Sequence, residues 1–338
     1  MPLKVGIIGG GNIASHHIRG YLQSNVKIVM VADAQESIAK HRGETLNCQW
    51  TNDYHQLLKR DDILAVSVCV PNWMHFEVAK AAVEAGKAVL CEKPMTTTLA
   101  DSEALVNLVK EKKTYFQVGY MKRFHPVMKQ FKTWLPLIGT PLVGLVRCYQ
   151  PMPEDRWGDS WFFHKNKAGG GVLTHGGSHT FDLLHWVLGD VNAVTASITQ
   201  RPGKDIDWVT GGLLEMANGA PMLLETGWIG HTNAGPNRDG WDEMIQIRGV
   251  NGILTLSTTF WDRPSLVPCV ECYVESEKIT WKFAEGPVDS FVEEIKEFVR
   301  CVSCGDKPAV TVEDGYWVDR LLHTLYESSQ QRARISLV

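Results

Sequence analysis

The feature that most constrains this chain is a glycine-rich turn between an apolar run and a predicted helix. The run Leu3–Ile8 leads into the motif Gly9–Ala14, which matches G-x-G-x-x-A. Gly9 permits a tight turn, Gly11 lets the backbone approach a pyrophosphate, and Ala14 is small enough for helix and strand to pack closely. The pattern therefore predicts a strand–turn–helix unit that binds a dinucleotide.

The residues after this turn extend the predicted dinucleotide site. The N–H groups of Asn12 and Ile13 lie at the start of the helix, where the positive end of the helix dipole favours a phosphate. A second apolar run, Lys27–Ala32, ends on Asp33, about where an acidic side chain would hydrogen-bond the adenosine ribose of NAD. Because Asp33 would repel the additional phosphate of NADP, and no arginine follows in residues 34–37, we expect NAD as the cofactor. The alternative is a βαβ unit that binds no nucleotide.

The overall composition is that of an ordinary globular protein of about two domains. The chain has 338 residues, of which 44% are hydrophobic and 21% are charged, with a formal net charge of −4. No basic excess favours a nucleic-acid partner, and no run approaches the roughly 20 apolar residues that span a bilayer. Because the first predicted strand begins at the N-terminus, the sequence predicts no signal peptide. We expect a cytoplasmic protein with reduced thiols that binds neither nucleic acid nor membrane.

The cysteines include two C-x-x-C pairs, Cys269–Cys272 and Cys301–Cys304, whose combination resembles a four-thiolate zinc pattern. Residues 268–274, however, alternate like a strand, which sends residues three apart to opposite faces. The second pair lies at the end of a predicted amphipathic helix. The sequence therefore favours cysteines without a metal, and a structural zinc site is the alternative.

Up to about residue 120, predicted strands and helices alternate, which indicates an N-terminal Rossmann domain, residues 1–120, with a doubly wound parallel sheet. The apolar run Ile63–Val70 is typical of a strand buried on both faces, and Ala88–Cys91 of the next strand. Ligands of such sheets bind beyond the carboxyl ends of the strands. The side chains predicted to lie there, and to contact the cofactor together with the glycine turn and Asp33, are Pro71, Asn72, His75, Glu92 and Lys93.

Beyond residue 120, the pattern changes to successive short strands with Gly-containing turns, which predicts a mostly antiparallel sheet. With their accompanying helices, these strands make residues 121–338 an α+β domain. The predicted strands are residues 142–149, 193–199, 209–217, 221–229, 243–249, 252–258, 269–274 and 279–283. The predicted helices are Phe124–Trp134, Thr180–Leu188, Ser290–Ser303 and Glu313–Gln330.

With these motifs in this order, the chain resembles the Gfo/Idh/MocA family of glucose-fructose and inositol dehydrogenase-like oxidoreductases. The matching segments run nearly end to end and include the specific E-K-P triplet and a later G-x-H-x-x-D. They are Gly6–Ala14, Pro71–His75, Glu84–Lys87, Glu92–Pro94, Gly119–Phe124, Gly169–Leu173 and Gly177–Leu183. The resemblance implies a Rossmann domain joined to a domain with a large open sheet, which is often the surface of homodimers or homotetramers. It also implies a carbohydrate or cyclitol substrate.

The resemblance further implies two catalytic side chains. His179 removes the proton from a substrate hydroxyl as hydride leaves, a task that suits an imidazole near neutral pH. Lys93 holds the same oxygen and stabilises the negative charge that develops on it. The alternatives are a solvated loop lysine and a histidine paired with Asp182, three residues later.

One position departs from the family pattern. The family usually has an acid four residues before the catalytic histidine, and here that residue is His175. An imidazole would not fix the tautomer of His179 as a carboxylate does, so His175 is expected to bind substrate, share the proton or support different chemistry. Residues four apart share a helix face, which also allows a metal. Gly176 and Gly177 argue against one helix that spans both histidines, and zinc would need further ligands.

Other side chains are predicted to line the substrate pocket, since aromatic faces suit the C–H surfaces of sugars. They are Arg123, Trp157, Trp161, Phe162, His164 and Asp182, together with Lys93, His175 and His179. His75 is expected to border the nicotinamide, with a capping role as the alternative.

The sequence thus predicts an NAD-dependent oxidoreductase that transfers hydride between nicotinamide and a ring hydroxyl of a sugar, inositol or sugar derivative. One alternative is an NAD-dependent glycosidase or lyase of the same family, which oxidises a hydroxyl transiently, eliminates a group and returns the hydride. The unusual His175 keeps this chemistry open. Another alternative is a sugar or nucleotide sensor without turnover.

Overall fold

Two units make up the protein, whose computed structural model describes residues 2–151, 160–229, 231, 233–263 and 265–337. The first unit comprises Met1–Met121 with Ser290–Asp319, and the second comprises Lys122–Asp289 with Arg320–Val338. The chain passes from the first unit to the second beside the predicted boundary at residue 120. Residues 290–319, which the prediction assigned to the second domain, belong instead to the first unit.

The first unit is built on a parallel sheet of the predicted doubly wound type. Its strands are β1 Leu3–Ile8, β2 Val26–Ala32, β3 Gln49–Thr51, β4 Ala65–Val68, β5 Ala88–Cys91 and β6 Phe116–Val118. Their order is β3-β2-β1-β4-β5-β6, which is that of dinucleotide-binding folds with a switch point beside β1. The intervening helices are α1 Asn12–Leu22, α2 Glu36–Leu46, α3 Tyr54–Leu58, α4 His75–Glu84 and α5 Leu99–Lys112.

The second unit is built on a larger sheet, in which every predicted strand from residue 142 to 283 is present. Its strands are β7 Pro141–Gln150, β8 Val191–Gln200, β9 Asp207–Met216, β10 Pro221–Trp228, β11 Asp242–Gly249, β12 Gly252–Thr258, β13 Cys269–Val274, β14 Ile279–Ala284 and β15 Ile335–Ser336. The order is β14-β13-β12-β11-β7-β10-β9-β8-β15. Neighbouring strands run antiparallel except β7 and β10, which are parallel.

Helices of the second unit precede strand β8 in the sequence, and two longer helices follow strand β14. The former are α6 Pro126–Trp134, α7 Lys165–Ala168 and α8 Ser178–Leu188. The latter are α9 Ser290–Cys304 and α10 Val312–Gln331. Within the described ranges, no helix has both the length and the apolar character needed to cross a bilayer.

Helix α9 belongs to the first unit because its apolar face completes the core of the parallel sheet. Ile295, Phe298 and Val299 are buried together with residues of β1 and α1. A Cβ atom at Gly20 of α1 would lie 2.6 Å from the Cβ of Ile295, so glycine there lets the two helices approach closely. The sequence revealed this amphipathic helix but not its partner, since an apolar stripe identifies a buried face and not the surface that buries it.

Candidate active site

The glycine turn has the geometry that its sequence predicts. Gly9 has a φ of +94°, and a Cβ there would lie 2.4 Å from the carbonyl oxygen of Cys69, so only glycine fits. No atom lies within 4 Å of a Cβ placed on Gly11, where the backbone is open to a ligand. Gly11 is the N-cap of α1, and no side chain caps this helix. The N–H groups of its first turn, from Asn12 and Ile13 onward, are therefore suited to a phosphate.

Asp33 lies beside this turn and is held by backbone N–H groups. Its Oδ2 accepts a hydrogen bond of 2.8 Å from the Gly10 N–H, and its Oδ1 accepts one of 2.8 Å from the Gln35 N–H. A carboxylate oxygen accepts more than one hydrogen bond, so each oxygen retains capacity for a ribose hydroxyl. The turn and Asp33 together fit the pyrophosphate and the adenosine ribose of NAD.

Arg42 contacts this turn from outside it and is not identified by the glycine motif. It lies on α2, and its guanidinium donates to the carbonyl oxygens of Gly10 at 2.8 Å and Gly11 at 3.2 Å, and to Ser15 Oγ at 2.7 Å. A Cβ placed on Gly10 would contact both Ile38 and Arg42, which are four apart on one face of the helix. That spacing is the signal for Arg42 in the sequence, and this residue lies beyond the four positions that follow Asp33.

The loop after β4 carries Pro71, Asn72 and His75, as predicted. His75 is only 1% exposed; its Nδ1 lies 2.6 Å from the Pro94 carbonyl oxygen and its Nε2 lies 2.9 Å from that of Val70. Burial lowers the pKa of His75, and a neutral imidazole donates to one of these carbonyls at a time. His75 therefore ties the loop after β4 to the loop after β5, and its contact with the nicotinamide stays a prediction.

Glu92 and Lys93 follow β5, and the Glu92 carboxylate is held in the interior. Its Oε1 lies 2.9 Å from His17 Nε2, and its Oε2 accepts a bond of 3.2 Å from the Lys93 N–H. Burial alone would raise the pKa of Glu92, but the hydrogen bond and charge of His17, with the charge of Lys93, lower it below its ordinary value. An ionised carboxylate thus adjoins Lys93. No sequence motif identifies His17 as a partner of Glu92, and the predicted contact of Glu92 with the cofactor stays a prediction.

In the second unit, His175 and His179 lie on one continuous helical segment. Leu173–Gly177 forms a turn of π-helix that runs directly into α8. The prediction that the intervening glycines would prevent a helix across both histidines is wrong. A Cβ at Gly176 would lie 2.3 Å from the Gln150 amide, so the glycine lets the helical segment pack closely on the sheet.

His175 lies among aromatic side chains that the sequence had assigned to the substrate pocket. Its ring stacks on Phe162, with centroids 3.6 Å apart and planes inclined by 22°. The ring of Trp228 lies 5.6 Å away and that of Trp161 lies 6.4 Å away. The structure therefore brings Trp161 and Phe162 together with His175, whereas Trp157 lies outside the described residues.

Arg123 and Asp182 pair with each other in the interior. Arg123 donates from Nε to Oδ2 of Asp182 at 2.8 Å and from a terminal nitrogen to Oδ1 at 2.6 Å. The side chains are 5% and 0% exposed, and the predicted contact of both residues with the substrate stays a prediction. Each charge of this pair stabilises the other in the interior, and the motif that contains Asp182 does not distinguish a ligand from a structural partner.

Glu243 on β11 holds α8 beside His179. Its carboxylate accepts hydrogen bonds from the hydroxyls of Thr180 and Thr258, and both of its oxygens receive the Lys122 ammonium. Because Thr180 directly follows His179, this buried charge pair fixes the start of the helix that carries the histidine.

Asp207 on β9 holds the segment that precedes His175. Its carboxylate accepts the N–H groups of Gly171 and, at 2.8 Å, of Leu173, together with the Tyr326 hydroxyl. Burial raises the pKa of Asp207, and these donors act in the opposite direction. Buried acids thus fix the histidine segment on both sides.

The cysteine pairs are placed as the sequence predicts. Cys269 and Cys272 lie on β13, half-buried and buried respectively, and Cys301 and Cys304 lie at the end of α9. Among the residues that the structure describes, no three His, Cys, Asp or Glu side chains are grouped so as to hold a metal ion.

Comparison with known proteins agrees with this architecture. A family model described as an oxidoreductase family with an NAD-binding Rossmann fold matches residues 3–120, and the Gfo/Idh/MocA C-terminal domain matches residues 137–255. Myo-inositol 2-dehydrogenase of Thermotoga maritima is 25% identical, with 99% of this chain and 98% of that protein covered. Levoglucosan dehydrogenase of Pseudarthrobacter phenanthrenivorans is 27% identical, with 74% of this chain and 65% of that protein covered.

A solved structure of levoglucosan dehydrogenase in complex with NADH and levoglucosan has the same fold. Its TM-score is 0.87 at 23% identity, and both chains are covered completely. The glycine turn, the strand order of the first sheet and the two matched domains lead to one assignment. The chain belongs to the Gfo/Idh/MocA family of oxidoreductases, whose Rossmann fold binds NAD.

Proposed function

We propose that this protein is an NAD-dependent dehydrogenase of a sugar, an inositol or a sugar derivative. The observation that carries the proposal is the glycine turn, open at Gly11 and flanked by Asp33, in a chain of this oxidoreductase family. The names of the inositol and levoglucosan dehydrogenases among its relatives support the substrate class. The aromatic rings around His175 support it independently, because such rings suit the C–H faces of a sugar.

The proposed mechanism assigns one task to each of two side chains. NAD, when bound, accepts the hydride from the substrate carbon. Lys93 holds the hydroxyl oxygen on that carbon and stabilises the negative charge that develops there with a preorganised ammonium. His179 removes the hydroxyl proton as general base and returns it in the reverse direction. The buried bonds of Glu92 and Thr180, the chain neighbours of these residues, support fixed positions for both.

His175 takes a binding role in this proposal. Its stacking on Phe162 at 3.6 Å fixes the plane of the imidazole, so its ring nitrogens keep a constant direction. We assign His175 to a hydrogen bond with a second substrate hydroxyl, with Trp161 beside the sugar ring.

We also propose a homodimer or homotetramer that forms through the large sheet of the second unit. Leu145, Leu213 and Leu223 are register partners on adjacent strands, and Leu223 is 54% exposed. A patch of this kind favours association. Light scattering after gel filtration tests the proposal: Leu223→Lys should lower the mass, whereas Leu22→Lys, at an exposed leucine of α1, should not. An unchanged mass for Leu223→Lys contradicts it.

A substrate screen tests the proposed activity. Sugars and inositols are added with NAD, and reduced nicotinamide is followed at about 340 nm. Accumulation of NADH supports the dehydrogenase. Release of product from an aryl glycoside without NADH would indicate elimination chemistry instead, and nucleotide binding without any turnover would indicate a sensor.

Two variants then test the assigned side chains. His179→Ala should lower turnover by roughly 10²- to 10⁴-fold, the range for a positioned acid–base group, and Lys93→Ala by roughly 10²- to 10³-fold, the range for a group that stabilises developing charge. NADH binding, measured by fluorescence, should persist in both. Near-normal turnover in either variant contradicts the role of that residue.

A further inference from the structure

Helix α10 lies against the loop that follows Lys93. Gly315 and Asp319 are four apart, so both lie on one face of this helix. A Cβ at Gly315 would lie 2.8 Å from the Met95 sulfur, so glycine there lets the helix approach the loop. One turn later, Asp319 Oδ2 accepts a hydrogen bond of 3.0 Å from the Thr96 N–H.

Asp319 is a buried acid whose bonds all go to this loop and to the helix after it. It is 2% exposed, and its Oδ2 also accepts a bond of 2.6 Å from Ser102 Oγ. The Thr96 hydroxyl lies 2.6 Å from Ser102 Oγ and donates at 2.7 Å to the Thr98 carbonyl oxygen. Burial raises the pKa of Asp319 to about 7. Hydrogen bonds from Ser102, from Thr96 and from the Met95 N–H act in the opposite direction.

The backbone is fixed on the other side of Lys93 as well. Glu92 is joined to His17, and the Pro94 carbonyl oxygen is joined to His75. Lys93 therefore lies on a short segment in which residues 92, 94 and 96 are each held by a buried side chain from elsewhere in the chain. Asp319 supplies the last of these contacts, from a position 223 residues after Thr96.

We propose that Asp319 is a positioning residue for Lys93. By accepting the Thr96 N–H, it fixes the loop from Pro94 to Thr98 and so fixes the direction from which the Lys93 ammonium meets the reacting oxygen. This inference rests on the proposed role of Lys93. It follows from the sensitivity of such chemistry to geometry, since a displacement of about 1 Å costs on the order of 10²-fold in rate.

Three variants separate positioning from simple stability. Asp319→Leu has the same number of side-chain heavy atoms and no acceptor, Asp319→Asn keeps a carbonyl acceptor for the Thr96 N–H, and Asp314→Asn is the matched control. Asp314 lies on the same helix, where its carboxylate bonds Thr311. We expect Asp319→Leu to lower kcat by roughly tenfold to a hundredfold with the KM for NAD unchanged. Asp319→Asn and the control should retain kcat close to that of the wild type.

Hydrogen exchange of the amides in residues 95–98 provides a readout that needs no substrate. These amides should exchange faster in Asp319→Leu than in the control, while those of β4 remain protected. If Asp319→Leu does not fold, Ser102→Ala replaces it, because it removes a donor to Asp319 and the Thr96–Ser102 contact. Exchange equal to that of the control overturns the inference.

The two measurements also separate this inference from the proposed function. Faster exchange of the loop with unchanged kcat overturns the positioning role and leaves the dehydrogenase intact. Absence of turnover with every sugar and inositol overturns the proposed function, and with it the role of Lys93 on which the inference rests, whatever the exchange of the loop.

Discussion

His17 and Glu92 form a buried contact of 2.9 Å between helix α1 and the loop after β5. Their exposed fractions are 0% and 5%. Ser67 lies 2.9 Å from the other ring nitrogen of His17, and the Tyr21 hydroxyl lies 2.7 Å from Ser67 Oγ. Helix α1, which follows the glycine turn, is thereby connected through one hydrogen-bonded network to Glu92, the residue before Lys93.

Glu92→Gln should destabilise the protein at neutral pH and weaken its sensitivity to acid. Removal of a buried charged partner costs about 1–3 kcal/mol of the free energy of unfolding. Because the folded protein lowers the pKa of Glu92, its contribution is present above the ordinary carboxyl pKa and is lost as the pH falls through the folded value. Urea unfolding at pH 7 and pH 4 measures both effects.

The matched control for this measurement is Glu84→Gln, at an exposed glutamate of α4 in the same unit. It should change the free energy of unfolding by less than about 0.5 kcal/mol. A Glu92→Gln variant as stable as this control would show that the His17–Glu92 contact contributes nothing to the fold.

Asp182→Asn should be far more damaging than loss of a surface ion pair. It leaves the Arg123 guanidinium buried without its counter-ion, which costs roughly 3–5 kcal/mol. Glu293→Gln removes the exposed pair with Lys296, whose N–O distance is 2.7 Å, and should cost less than about 1 kcal/mol. Thermal unfolding of both variants measures the difference. Equal stability, with a raised KM for substrate in Asp182→Asn, would contradict the structural role and support the substrate role predicted from the sequence.

The general architecture could be predicted because it depends on local patterns. Alternating apolar runs and helices define the parallel sheet, and the glycine motif requires the turn at Gly9 for steric reasons that any such chain shares. The strands of the second sheet are likewise evident from the alternation of side chains and from their turns.

Partners across the fold could not be predicted, because sequence patterns specify which face is buried and not what covers it. Helix α9 joins the first unit through Ile295, and Asp182 pairs with Arg123. Arg42 contacts the glycine turn from α2, and the glycine motif does not specify which face of that helix points toward the turn. The π-helical turn at Leu173–Gly177 depends on close packing over Gln150, a residue that lies more than twenty positions earlier in the chain.

The stability conferred by Asp319 should fall as the pH rises. Its pKa in the folded protein is about 7, above the ordinary value of about 3.9 in an unfolded chain. The protonated form is therefore favoured in the fold, and its contribution is complete below about pH 4 and lost by about pH 7, with an upper limit on the order of 4 kcal/mol. Unfolding of wild type and Asp319→Asn between pH 4.5 and 8 tests this. A stability difference that does not vary with pH contradicts the raised pKa.

Arg42→Ala should weaken NADH binding without unfolding the protein. The guanidinium holds the carbonyl oxygens of Gly10 and Gly11 and the Ser15 hydroxyl, so its loss lets the turn fluctuate where the pyrophosphate would bind. We expect a Kd for NADH about tenfold higher, equivalent to about 1.4 kcal/mol. Fluorescence titration measures it, with Arg19→Ala, at an exposed arginine of α1, as the control. Equal affinities of the two variants would contradict a role for Arg42 in the turn.

Asp33→Asn should reduce the discrimination between NAD and NADP. The carboxylate adjoins the Gly10 N–H and would repel a phosphate on the ribose that it contacts, whereas the amide carries no charge. Two unit charges about 4 Å apart near a protein surface interact by about 1–4 kcal/mol, so the ratio of the Kd for NADP to that for NAD should fall at least about fivefold. Glu36→Gln, three residues later at the start of α2, carries the same charge change and should leave the ratio unaltered. An unchanged ratio in Asp33→Asn would contradict the role of Asp33. The choice between NAD and NADP would then depend on another group, such as Arg42 beside the turn.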